Sequence, residues 1–189
     1  MRLVKILGAA IVAVLAFSAM VATGASAHEF EASTTGLLLA KAHSSQLFKF
    51  PAGEVVCTTL VGHGKVVELK PKKQVATVSY TNCSTALGTV SEPINAEYEF
   101  DAEGSVSILK TVKVIITSAG LKCEVSVLPQ SGLTAISYSN TGKEILLSSN
   151  VKSIKSNGGG ALCNWTNDAT GIYTGSALVS LDGGTISWK

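Results

Sequence analysis

Three histidines, four cysteines and one run of carboxylates are the side chains through which this chain could do chemistry. His28 follows Ala25-Ser26-Ala27, small residues of the kind after which a signal peptidase cuts. Cleavage there leaves His28 with a free α-amine. Amine and imidazole together chelate copper, and His43 or His63 would supply a third nitrogen. Such a site would make the chain a copper-binding protein or a copper-dependent polysaccharide oxygenase. The residues after the histidine, Glu29-Phe30, are not those that usually follow it in such proteins. The copper site of His28, His43 and His63 is therefore the alternative reading, and the expectation for metals and other cofactors is none. In the plainer account His28 is the residue left by cleavage, in a mobile segment that no strand ties down before about Gly36. His63, between Gly62 and Gly64, then sits exposed in a hairpin turn.

Cys57, Cys83, Cys123 and Cys163 form an even set without a C-x-x-C spacing. In an exported chain this pattern means disulfides rather than a metal or redox site. Three pairings are open. Cys57–Cys83 with Cys123–Cys163 is favoured because each bond then staples one half of an apparent internal repeat. In the chain-entropy account, loops of these lengths stabilise by roughly 3.5–4 kcal/mol each.

The remaining chemistry is weaker. Glu97, Glu99, Asp101 and Glu103 could pair as glycosidase carboxylates, but their alternate spacing puts them on one face of a strand entering a turn, an exposed face. No G-x-S-x-G occurs and no histidine follows His63, so the usual order of a serine hydrolase is missing. Trp165 and Trp188 could stack sugars, assisted by Tyr80, Tyr98, Tyr138 and Tyr173. Tyr80 and Tyr138 fall at matched repeat positions, as core tyrosines of β-sandwiches do. Asn82-Cys83-Ser84 and Asn164-Trp165-Thr166 match the glycosylation sequon, yet one contains a cysteine and the other adjoins one.

The elements that must position these residues are strands. Val75 to Tyr80, Ser105 to Ile108 and Leu121 to Val127 alternate polar and apolar. Val112 to Thr117 is a β-branched run suited to a strand buried on both faces. Turn residues punctuate the runs at Gly62-His63-Gly64, Pro71-Lys72-Lys73, Asp101 to Gly104, Pro129 to Gly132, Asn140-Thr141-Gly142 and Asp182-Gly183-Gly184. The fold expected is all-β, an antiparallel β-sandwich or flattened barrel of about twelve short strands. Val75 to Asn82 resembles Leu133 to Asn140, and Phe100 to Ile108 resembles Leu181 to Trp188 with one residue removed. The pattern suggests an internal duplication with halves 45–110 and 112–189.

The chain opens on Arg2 and Lys5, followed by an apolar run from Ile6 to Val21. This predicts a signal helix over 1–27, removed on export, and a single domain over 28–189. Of the 15 basic residues Arg2 and Lys5 lie in the leader; the 13 lysines that remain equal the 13 acidic residues. Arg2 is the only arginine. A neutral, arginine-free domain lacks the basic patch and guanidinium contacts of nucleic-acid binders. No later run is apolar enough to span a bilayer, so contact with membrane is expected during export only.

The order of alternating strands, the first cysteine pair, Cys123 to Gln130 and the closing Gly171-Ile-Tyr173-Thr-Gly175 resemble a group of exported actinobacterial proteins. They occur as many paralogues of about this length. The resemblance implies a β-rich fold, assigns no activity and carries over no catalytic residue. The reading is a non-enzymatic exported β-domain, secreted or held at the cell envelope. It would act as a structural or binding module for an unknown surface or matrix component.

Overall fold

The computed structural model describes residues 27–189, apart from the side chains of 166–168; the leader expected over 1–27 lies outside this range except for Ala27. Fifteen strands account for the described residues and no helix is present among them: β1 (Phe30–Ala32), β2 (Gly36–Ala42), β3 (Gln46–Phe50), β4 (Gly53–Val66), β5 (Lys73–Thr85), β6 (Gly88–Val90), β7 (Ile94–Asp101), β8 (Val106–Ile108), β9 (Val112–Ser118), β10 (Leu121–Val127), β11 (Gln130–Leu133), β12 (Ile136–Thr141), β13 (Glu144–Gly159), β14 (Trp165–Leu181) and β15 (Ile186–Trp188). The expected dozen short strands become fifteen, several of them three residues long. β13 and β14, at 16 and 17 residues, are long enough to cross the whole molecule.

Alternation decides which side chains turn inward. On β10 Cys123, Val125 and Val127 are buried, and on β8 Val106 and Ile108. β9 corrects the expectation of burial on both faces. Val112, Val114 and Ile116 point to the core while Lys113 and Thr117 are exposed, so the β-branched run has one wet side. Gly62-His63-Gly64 is a second correction. It lies in mid-strand on β4, paired with β2 on one side and β5 on the other. The glycines allow close packing there: a Cβ on Gly62 would stand 2.9 Å from the Cβ of Ala40. The turns at Asp101–Gly104 and Asp182–Gly184 do form, closed by Gly104 N–H donating to Asp101 O and Gly184 N–H donating to Leu181 O.

The pairings, all antiparallel, close on themselves: β4, β5, β6, β9, β10, β13, β14 and β2 form a ring that returns to β4. The sandwich is thus joined along both edges into a barrel. Several positions in the ring are shared. β2 and β3 follow one another between β4 and β14. At the other end of the barrel β7, β8, β11 and β12 take the places of β6, β9 and β10. Strands from both stretches of the suggested repeat interleave in this one sheet.

β1 and β15 form a separate two-stranded sheet. It overturns the expectation of a mobile segment before Gly36. Phe30 and Ala32 are buried, and their N–H groups donate to Pro71 O and Leu69 O in the loop between β4 and β5. Burial of an aromatic ring together with backbone pairing holds the segment.

The core has two parts. One gathers around Phe48, Val55, Tyr80, Ile116 and the cysteines 57, 123 and 163; the other around Phe30, Val66, Tyr138, Val151 and Ile186. Tyr98, Leu133 and Ile154 pack against both. Cys57 is bonded to Cys83 across the β4–β5 pair, and Cys123 on β10 to Cys163 in the loop before β14. Two disulfides fit an extracellular or otherwise oxidising environment.

Candidate binding cavity

Between the two parts of the core the barrel is hollow. The cavity measures about 120 Å³ and is lined mostly by apolar side chains, among them Leu60, Val78, Phe100, Val114, Ile136 and Leu147. A barrel of eight positions has an interior that side chains just fill or that holds one small ligand. Which of these occurs depends on the size of the inward residues. Register places Val179, Ala40, Gly62 and Val78 side by side around the wall. The next row holds Leu38, Gly64, Ala76 and Tyr98. Gly171, Gly175 and Ala177 line the cavity from β14. Alanine and glycine in these rows leave space that larger residues would occupy. A void of this size forgoes about 3 kcal/mol of packing at roughly 24 cal/mol per Å³.

A linked cluster of polar groups enters the cavity near Tyr80. Tyr80, Tyr98 and Tyr173 line it, and their hydroxyls approach one another: Tyr80 Oη lies 3.1 Å from Tyr98 Oη and 3.5 Å from Tyr173 Oη. Tyr173 donates to Gln46 Oε1. Gln46 is fully buried, with Nε2 donating to Ser44 O at 2.6 Å and Ser176 O at 3.0 Å. Gly175 makes this possible, since a Cβ there would stand 2.2 Å from Gln46 Oε1. The amide and the hydroxyls thus satisfy one another inside the core. Burial pushes the Tyr98 hydroxyl up to about 12 and raises Tyr80 and Tyr173 well above the ordinary tyrosine value. Tyr138, at the opposite end, donates to Asp101 O at 2.9 Å and is raised by burial as well.

The residues singled out in the sequence lie elsewhere or act differently. No group of three or more His, Cys, Asp or Glu among the described residues is placed to hold a metal ion, so His28, His43 and His63 are not brought together. His28 stacks on Trp188 with ring centroids 4.4 Å apart, and its backbone N–H donates to Glu103 Oε1 at 2.9 Å. His43 follows β2, where its N–H donates to Ser176 O, and His63 is exposed on β4. Glu97 and Glu99 pair with Lys110 and Lys73 at 2.6 and 2.7 Å. Asp101 Oδ1 accepts the N–H of Glu103. Glu97 and Glu99 thus belong to a salt-bridged outer face, while Asp101 and Glu103 accept backbone N–H groups at the turn that follows β7. Trp188 donates Nε1–H to Ala102 O, and Trp165 packs over Gly158, whose Cβ would overlap its ring. Sequence reasoning missed Gln46 and the hollow itself. Only the alternation of small residues on paired strands signalled it, and strand pairing is needed to see them as one wall.

Comparison of the chain with protein-family models, with curated proteins and with solved structures returns no match.

Proposed function

We propose that this protein is an exported, non-catalytic binding module, secreted or retained at the cell envelope, that works by enclosing a ligand in its barrel. The observation that carries the reading is the apolar cavity inside a closed wall with two disulfides. A site lined in this way binds by removing apolar surface from water. It presents tyrosine hydroxyls held neutral by burial, which hydrogen-bond a ligand without attacking it. Export is supported by the leader sequence and by the disulfides, which an oxidising compartment keeps intact.

The experiment exposes the purified protein to fractions of an apolar extract from the producing cells' envelope and follows its thermal unfolding. A ligand that binds the folded state raises the midpoint by mass action. At least one fraction should raise it reproducibly, and N-terminal sequencing of the secreted protein should begin at His28. If no fraction of the extract raises the midpoint, the binding reading fails; an intact Met1 on a membrane-bound product would remove the export reading.

A further inference from the structure

The cavity also defines what it would hold, an inference that rests on the binding reading above. Size comes first. An apolar protein cavity of roughly 150 Å³ takes a benzene-sized molecule, so a space of about 120 Å³ limits the occupant to one six-membered ring or an equally small chain. Charge comes second. The lining contains no Asp, Glu, Lys or Arg, and its ionisable groups are tyrosines and His63, whose ring is on the exposed side of β4. A charged ligand would lose its hydration and find no counter-ion.

Hydrogen bonding comes third and follows from Gln46. Because Nε2 donates to two backbone carbonyls, Oε1 must face Tyr173, which fixes Tyr173 as the donor of that bond. Tyr80 then gives its single proton to the nearer oxygen, that of Tyr98 at 3.1 Å rather than that of Tyr173 at 3.5 Å. Tyr138 spends its proton on Asp101 O, Gln74 donates to Lys65 O and Val75 O, and Ser176 Oγ–H to Ser44 Oγ. Two lining hydroxyls keep a proton for a ligand: Tyr98, and Ser149 on β13, which has no side-chain partner among the described residues. Tyr98 packs against both parts of the core and so stands where they meet.

We propose that the cavity binds one neutral, ring-sized apolar molecule bearing a hydrogen-bond acceptor, which the Tyr98 hydroxyl engages. The site discriminates by size, by charge and by the presence of that acceptor.

Three probes of one shape separate these features: cyclohexanone, cyclohexane and cyclohexanecarboxylate. Binding to the purified protein is read by amide and methyl chemical-shift changes and by the unfolding midpoint. Cyclohexanone should bind at a single site, shifting signals of Val78, Ala76 and Tyr98, about fivefold to tenfold more tightly than cyclohexane, the value of one hydrogen bond. Cyclohexanecarboxylate should cause no shift there. Tyr98→Phe should bring cyclohexanone down to the affinity of cyclohexane; loss of the preference in Ser149→Ala alone would overturn the assignment to Tyr98. Ala76→Leu, which fills the space from β5, should weaken both neutral probes at least tenfold. Ala40→Leu repeats that test from β2 should Ala76→Leu not fold. Failure of both neutral probes to shift cavity signals in the folded protein overturns the inference. Envelope fractions that still raise the midpoint of a folded filling variant would overturn enclosure of the ligand in the barrel and place binding on the outer surface instead. Wild-type protein that responds to neither probes nor fractions would end both.

Discussion

Gln46 illustrates how one side chain sets the chemistry of its surroundings. Fully buried, it holds two carbonyls and one tyrosine hydroxyl; removing it strips Ser44 O of its donor and the Tyr173 hydroxyl of its acceptor, while Ser176 O keeps the N–H of His43. Gln46→Ala should therefore cost about 2–4 kcal/mol, more than the loss of its apolar contacts alone, because unsatisfied buried groups carry their full desolvation penalty. Denaturant unfolding of the variant checks this; a loss below about 1 kcal/mol would mean that water replaces the amide. The tyrosines give a second prediction. Burial raises Tyr98 from the ordinary tyrosine value of about 10 to about 12, and the folded state thus holds a proton that the unfolded chain releases near pH 10. The resulting stability is complete below pH 10 and is lost as pH rises through about 12. Tyrosinate absorbance should stay flat past pH 10 and then rise together with loss of the fold. Ionisation of Tyr80, Tyr98 or Tyr173 at its ordinary value, with the fold intact, would place that ring in water. None of this polar chain was legible in the sequence. Tyr80 reads as a core residue from alternation, but its partners come from β3, β7 and β14, and only tertiary pairing brings those strands together.

At the scale of elements the sequence speaks clearly where one strand faces core on one side and water on the other. Leu121 to Val127 and Ser105 to Ile108 show their period within a few residues. It misleads where glycine is read by its commonest use. Gly62 and Gly64 resemble a turn, yet they serve close strand contact in β4. Short end segments are equally opaque, because β1 has three residues and gains its stability from distant partners. Phe30→Ala tests that latch. It should cost about 3–5 kcal/mol as a buried aromatic truncation. In hydrogen exchange, the amides of β1 and β15 should lose protection together while those of β4 and β5 keep theirs. Unchanged protection in β15 would show that the pair is not held by Phe30.

For the molecule as a whole, the closed ring accounts for both rigidity and hollowness. All-β class, strand alternation and the turns at Asp101–Gly104 and Asp182–Gly184 could be read locally, whereas Pro129 to Gly132, expected as a turn, runs into β11; closure could not, since it depends on β14 meeting β2 and β6 meeting β9 across long stretches of chain. The disulfides act at this scale. Their loops span 26 and 40 residues, and in the chain-entropy account each contributes roughly 3.5–4 kcal/mol. Replacing Cys57 and Cys83 by Ser should lower unfolding free energy by about that amount, with the other bond intact. A variant as stable as the parent would show that strand pairing alone constrains this edge.

The central claim is that the barrel encloses real, reachable apolar space. Crystals of the wild-type protein and of Ala76→Leu, both exposed to xenon under pressure, test it most directly, because xenon enters dry apolar cavities. The account predicts a xenon atom in the wild-type barrel between Ala76, Val78, Tyr98 and Val114, and none at that position in the filled variant. A wild-type barrel with no xenon there, its interior closed by side chains packed in contact, would contradict it.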